Sequence, residues 1–182
     1  MSPPPPARLL HRTRWLTAVT ATCLALQLFG NLYEQLVGSV GTLADPRPGE
    51  LVGPLDPGSP VFYYLPWAPL GVVLAVVLAL RLPRLGAPAP AVRRVRLAVG
   101  AVLVAVAVKA VLISAVNPRF RDPAVDAGTL HDWAVTWAVG NGVAVVAVAA
   151  ALALVLTWRA ALVDEALDPA RGRRQEAAPV AG

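Results

Sequence analysis

Apolar residues in this chain fall into four long runs, and polar residues collect between them. The runs are WLTAVTATCLALQLFGNLYEQLV over 15–37, a second over 62–80, LAVGAVLVAVAVKAVLISAV over 97–116 and WAVTWAVGNGVAVVAVAAALALVLTW over 133–158. At 1.5 Å per residue the first reaches about 35 Å, enough to cross a bilayer with some tilt. Continuous rather than alternating apolar runs predict helices and argue against a β-barrel. Pro66 and Pro69 stand near the start of the second run, so its regular helix is expected to begin between 62 and 68. Tyr63, Tyr64 and Trp67 there suit a membrane interface. Residues 38–60 are rich in Gly, Pro and Asp and read as a loop, 81–96 as a link, and 117–132 as a short polar connection. The proline run of MSPPPPARLLHRTR is expected to block helix at the start of 1–14. The tail from Arg159 begins as a charged helical extension and ends in RGRRQEAAPVAG, a composition that reads as disordered. The pattern predicts an all-α polytopic membrane protein. Short connections favour an antiparallel four-helix transmembrane bundle over 15–158, with an N-terminal segment 1–14 and a tail 159–182.

Composition agrees. The chain has 182 residues, of which 57% are apolar and only 15% charged, against roughly 25% charged in soluble domains. Its mean hydropathy is +0.60. The single cysteine, Cys23, excludes an internal disulfide and lies in an apolar run, where a small buried side chain is expected. Of sixteen basic residues only Lys109 is lysine. That arginine bias, with abundant Ala, Val, Leu and Pro, resembles a high-GC bacterial genome.

Charge placement then predicts orientation. Residues 1–14 carry three arginines and no acid, residues 81–96 carry five arginines and no acid, and the tail carries four arginines. The two other loops each hold three acids against one and two arginines. The positive-inside rule therefore puts both termini and the 81–96 link in the cytoplasm of a bacterial cell, with the chain in its cytoplasmic membrane. Basic charge beside apolar runs reads as a topology signal, so no nucleic-acid partner is expected. A cleaved signal peptide is not expected either, because the first run is long and carries Gln27, Asn31 and Glu34.

The polar residues inside the runs are the candidate chemistry. Thr20, Cys23, Gln27, Asn31 and Glu34 recur at steps of three or four, forming one stripe on the first helix that should face the bundle interior. Gln35 lies beside that stripe, and Tyr33 marks the interface. Lys109 precedes Asn117 by eight residues, and Asn141 follows Trp133 by eight, so depth brings Lys109, Asn31 and Asn141 to one level with Glu34 in reach. Trp133, Trp137 and Asn141 share a helix face at i,i+4 spacing, and Gly140 and Gly142 beside Asn141 permit close backbone approach. The expected site is a polar cavity in the outer half of the bundle. Glu34 would be the base or proton carrier there. Lys109 would counter it or stabilise an oxyanion. Asn31 and Asn141 would orient a carbonyl or hydroxyl, and Trp133, Trp137 and Tyr64 would form an aromatic wall. The competing expectation is a purely structural Glu34–Lys109 ion pair locking two helices.

Other candidates are weaker. His131 could transfer protons at a cavity mouth, and Asp132 could cap the fourth helix. Arg119 could bind lipid phosphate, and His11 reads as an interfacial side chain. Neither histidine has neighbours at metal-ligand spacing. No G-x-G-x-x-G, Walker A, H-E-x-x-H or C-x-x-C occurs, so the expectation is chemistry without a metal or cofactor.

NLYEQLV near the end of the first run, NPRF after the third, and W-x7-N in the fourth resemble the anthrone oxygenase-like four-helix membrane proteins. The likeness covers about 15–158. It implies a small integral membrane protein and, for a minority of that family, cofactor-independent oxidation of anthrones to quinones, an oxidoreductase activity of the monooxygenase kind. The matching positions are Asn31, Tyr33 and Glu34, then Asn117 and Arg119, then Trp133 and Asn141. Lys109 has no named counterpart there.

Three function classes follow. The first is a small membrane enzyme using acid/base chemistry on a lipophilic aromatic or polyketide-like molecule. An isomerase or cyclase with Glu34 as the acid is the variant of that class. The second is a non-catalytic accessory or assembly subunit of a larger membrane complex. The third is a small-molecule exporter working as a homo-oligomer, which the lack of an internal inverted repeat disfavours. Membrane lipids are partners in each. A pocket behind Glu34 and Lys109 favours the enzyme, and direct contact with no void favours the structural pair.

Overall fold

The computed structural model describes residues 5–47, 49, 51 and 61–167. Every regular element among them is helical: α1 (Pro5–Tyr33), a π-helical segment (Glu34–Ser39), α2 (Val40–Ala44), α3 (Val61–Tyr64), α4 (Trp67–Arg84), α5 (Ala89–Val111), a second π-helical segment (Leu112–Val116), α6 (Asn117–Arg121) and α7 (Ala127–Leu167). Four of the resulting helices are long and apolar enough to cross a membrane.

Helix extends past the apolar runs. The first begins at Pro5, because proline is tolerated in a first turn, where its missing N–H has no intrahelical partner to lose. It continues through Glu34–Ser39 to Ala44, so the start of the expected 38–60 loop is helical. The expected 117–132 connection is mostly helix, interrupted between Arg121 and Ala127. Hydropathy marks where a chain is apolar, whereas helices stop where capping permits. The disordered reading of the final residues, the side chain of Tyr63, and most of the 48–60 stretch lie outside the described residues.

The turn from α4 to α5 has a specific cause. Gly86 adopts a positive φ of 73°, its N–H donates to the Pro83 carbonyl at 3.1 Å, and the Ala87 N–H donates to the Leu82 carbonyl at 3.0 Å. These two bonds form a Schellman cap, which favours glycine at that position. Pro88 and Pro90 then open α5. At α7 the cap is Asp126, whose Oδ1 accepts the Thr129 N–H at 2.9 Å, and not Asp132, which is exposed within the helix. The Thr129 N–H holds the Asp126 carboxyl below its ordinary value.

Packing pairs the helix ends. Leu9 of α1, Leu78 and Leu82 of α4, Val92 and Val95 of α5 and Trp158 of α7 form one apolar cluster. Arg159 donates to the Leu10 carbonyl at 3.0 Å, and Arg94 to the Thr157 carbonyl at 2.8 Å, at the same end. Leu112, Val116, Phe120, Leu130 and Ala134 form a second cluster toward the end of α5 and the start of α7. Leu24, Ala98, Val102, Ala151 and Val155 fill the middle.

Around this apolar core the burial pattern departs from that of a water-soluble bundle in two ways. Thr20, Cys23, Gln27, Asn31 and Glu34 of the stripe are buried, as are Thr13 and Thr17 before it and Asn141 of α7. Phe29, Leu36, Leu103, Val139 and Val146 are exposed. An apolar exterior of this extent is unfavourable in water and favourable in lipid, where buried polar groups must find partners inside the protein.

Candidate functional site

The two π-helical segments flank the site. Glu34 is the first residue of one, and Lys109 stands three residues before the other. Pro118 contributes to the second: it has no N–H to donate back, and its ring crowds the preceding turn. In the first, the Ser39 hydroxyl donates to the Glu34 carbonyl, five residues back, at 3.2 Å. Single π-helical turns inside α-helices recur at functional sites, since the widened turn redirects side chains.

At this level Lys109 Nζ donates to Glu34 Oε2 at 2.5 Å and to the Tyr64 hydroxyl at 3.1 Å. Tyr64 in turn donates its hydroxyl to the same carboxylate oxygen. The ammonium lies 4.8 Å from the centroids of both the Tyr64 and Trp137 rings. Cation–π attraction is larger where water is excluded, and the Lys109 and Glu34 side chains are only 15% and 10% exposed. Trp137 Nε1 donates to Asn117 Oδ1 at 2.9 Å, which fixes the indole beside the ammonium.

This triad does not fill the space around it. A cavity of about 1110 Å³ is lined by Gln27, Asn31, Glu34, Tyr64, Lys109 and Trp137, and also by Asn117 and Phe120. Its apolar rim includes Leu65, Val73 of α4, and Ile113 beyond α5, all of which are exposed. Exposed apolar side chains thus border the cavity on the flanks of the helices, and the exposed Asp45 and Arg47 border it near an end. Thr42, Asp45, Arg47 and Arg121 line a polar part of the wall, where Arg47 and Asp45 pair at 2.6 Å. None of these four stands out in the sequence as a site residue, because each lies outside the apolar runs, where a polar side chain is ordinary.

The remaining candidates divide. Gln27 and Asn31 are buried and line the cavity, and their Oε1 and Oδ1 have no hydrogen-bond partner. Asn141 is fully buried but lies in the α1–α7 interface, donating to the Asn31 carbonyl at 3.1 Å and to Gln35 Oε1 at 2.9 Å. Trp133 does not line the cavity. It packs on the Leu112–Phe120 cluster, and the Arg119 guanidinium lies 5.6 Å from its ring. Arg119, His131 and Tyr33 are exposed, and none of them lines the cavity. Tyr33 is one helix step, about 100°, from Glu34 and therefore turns away from it. Gly140 does permit close approach, by Leu112, whereas a Cβ added at Gly142 would meet nothing within 4 Å. Among the described residues no group of three or more His, Cys, Asp or Glu could hold a metal ion.

The arrangement can accept a proton at Glu34, donate hydrogen bonds from Lys109, and stack a flat molecule on Trp137 or Tyr64. Comparison with protein-family models, with curated proteins and with solved structures finds no match.

Proposed function

We propose that this chain is an antiparallel four-helix protein of the bacterial cytoplasmic membrane, with both termini cytoplasmic, and an enzyme acting on a lipophilic aromatic substrate. One observation carries the reading: Glu34, Lys109 and Tyr64 meet at the wall of a large cavity bordered by exposed apolar residues. An apolar border of this kind suits a molecule dissolved in lipid, and the cavity's volume is ample for several fused rings. The chemistry is proton abstraction followed by oxygenation. Glu34 takes a proton from a carbon acidified by a neighbouring carbonyl. Lys109 and Tyr64 stabilise the enolate oxygen. The electron-rich anion reacts with dioxygen without a metal. The methylene carbon loses both hydrogens and gains one oxygen atom as a new carbonyl. The other oxygen atom leaves with those hydrogens as water, so the electrons lost by carbon are those gained by dioxygen. This is the anthrone-to-quinone reaction that the NLYEQLV, NPRF and W-x7-N resemblance implies.

A second reading has its own support. The 2.5 Å contact between Lys109 and Glu34 joins two helices directly, as an accessory subunit locked by a buried pair requires. Oxygen uptake by the full chain in lipid nanodiscs, with a synthetic anthrone, separates the two. The enzyme reading expects quinone formation that falls in Glu34→Gln and Lys109→Met. A folded protein whose quinone yield equals that of empty nanodiscs rules the oxygenase out.

A further inference from the structure

Fifteen of the sixteen basic residues are arginine, and the one lysine stands in the cavity wall. An ion pair alone does not call for lysine. The planar guanidinium matches a carboxylate fork in two bonds and suits buried pairs better. Lysine offers what arginine cannot: an amine that, once deprotonated, is a nucleophile toward carbonyl carbon. The surroundings fit that role. Lys109 Nζ has a carboxylate at 2.5 Å to take its proton, a phenol at 3.1 Å, two aromatic rings beside it and open cavity in front.

We infer that Lys109 is a covalent carbonyl-binding site, whose ε-amine condenses with a lipophilic aldehyde to form an iminium with Glu34 as its counterion. The Lys109 ammonium passes a proton to Glu34. The freed amine attacks the aldehyde carbon, a C–N bond forms and the C=O π bond breaks. The oxygen takes protons from Glu34 and from the nitrogen and leaves as water. In net terms an aldehyde and an alkylammonium give a protonated imine and one water, with Glu34 again a carboxylate. Tyr64 donates to Glu34 throughout and holds that carboxylate beside the nitrogen. The inference goes beyond the oxygenase reading and does not need it, since no electron leaves the aldehyde.

The test uses the full chain in phosphatidylcholine nanodiscs, a lipid without primary amines. The protein is incubated with 2-naphthaldehyde, reduced with borohydride, and mapped by mass spectrometry. The chain's only other primary amine is its α-amino group, an internal reference within the same molecule. Lys109 is expected to label about tenfold faster than the α-amine, because the aldehyde is concentrated and oriented in the cavity. Water-soluble propanal is expected to lose that preference, and Glu34→Gln to slow labelling at Lys109 alone. Labelling at Lys109 no faster than at the α-amine, or undiminished in a folded Glu34→Gln protein, overturns the site. Should Glu34→Gln fail to fold, the two amines of the unaltered protein still decide. Adduct formation without quinone production would retain this site and discard only the oxygenase.

Discussion

The side-chain amide of Asn141 donates to the backbone carbonyl of Asn31 at 3.1 Å, across the interface between α7 and α1. The same nitrogen donates to Gln35 Oε1 at 2.9 Å, so one buried amide ties the last helix to the first, directly behind the cavity wall. Interhelical hydrogen bonds in lipid are individually modest. Asn141→Leu is therefore expected to cost only about 1–2 kcal/mol in unfolding from mixed micelles. Its larger effect should fall on Asn31, whose loss of a tether should widen its motion in hydrogen exchange. An unchanged exchange profile there would contradict the tether.

The Glu34–Lys109 pair should behave differently. Removing one partner leaves the other buried without its counterion, at a cost of roughly 3–5 kcal/mol, whereas replacing both leaves no charge behind. Lys109→Met and Glu34→Gln should each destabilise strongly, and the double variant should recover most of that loss in a double-mutant cycle. Additive losses would mean the two side chains act independently.

Gly140 and Gly142 offer a contrast within one turn. A Cβ at Gly140 would lie 2.9 Å from Leu112 Cδ2 and 3.3 Å from its Cγ, at the start of the π-helical segment after α5. Gly140→Ala should cost about 1–3 kcal/mol by overpacking. A Cβ at Gly142 meets nothing within 4 Å, and Gly142→Ala should be neutral or stabilise by up to about 1 kcal/mol through helix propensity. Thermal unfolding in detergent measures both.

Asp126 gives the pH dependence. Its carboxyl is held below the ordinary 3.8 by the Thr129 N–H, so the cap stabilises fully above that value and is lost as pH falls through the lower, folded-state one. Far-ultraviolet dichroism of the unaltered protein should show weakening of the α7 start as pH falls below the ordinary 3.8. Asp126→Asn keeps a capping oxygen and should remove this component of the acid response. An identical acid profile in both proteins would assign the transition elsewhere.

Much of the candidate site was legible in sequence because a polar residue inside a long apolar run has few places to go. The stripe from Thr20 to Glu34 is buried along its length, as its three-and-four spacing requires. Depth counted along the third and fourth runs brought Lys109 and Asn141 to the level of Glu34 and Asn31. A shared face does not fix which turn of it meets the cavity: Trp137 lines the cavity, whereas Trp133, one turn earlier, packs on the Leu112–Phe120 cluster. The π-helical segments were not legible, since a widened turn changes angular position without changing composition.

The sequence by itself determined the four apolar helices, the arginine-rich segments between and beside them, and the identity of the two buried charges, because solvent preference acts on each residue separately. Only the tertiary structure decided that Glu34 and Lys109 both touch one another and border a cavity, that Tyr64 completes the cluster, and that Asn141 serves the helix interface rather than the cavity. Those outcomes depend on how far each helix has turned when it meets its neighbours. A rotation of about 100° per residue converts a small change in winding into a different face.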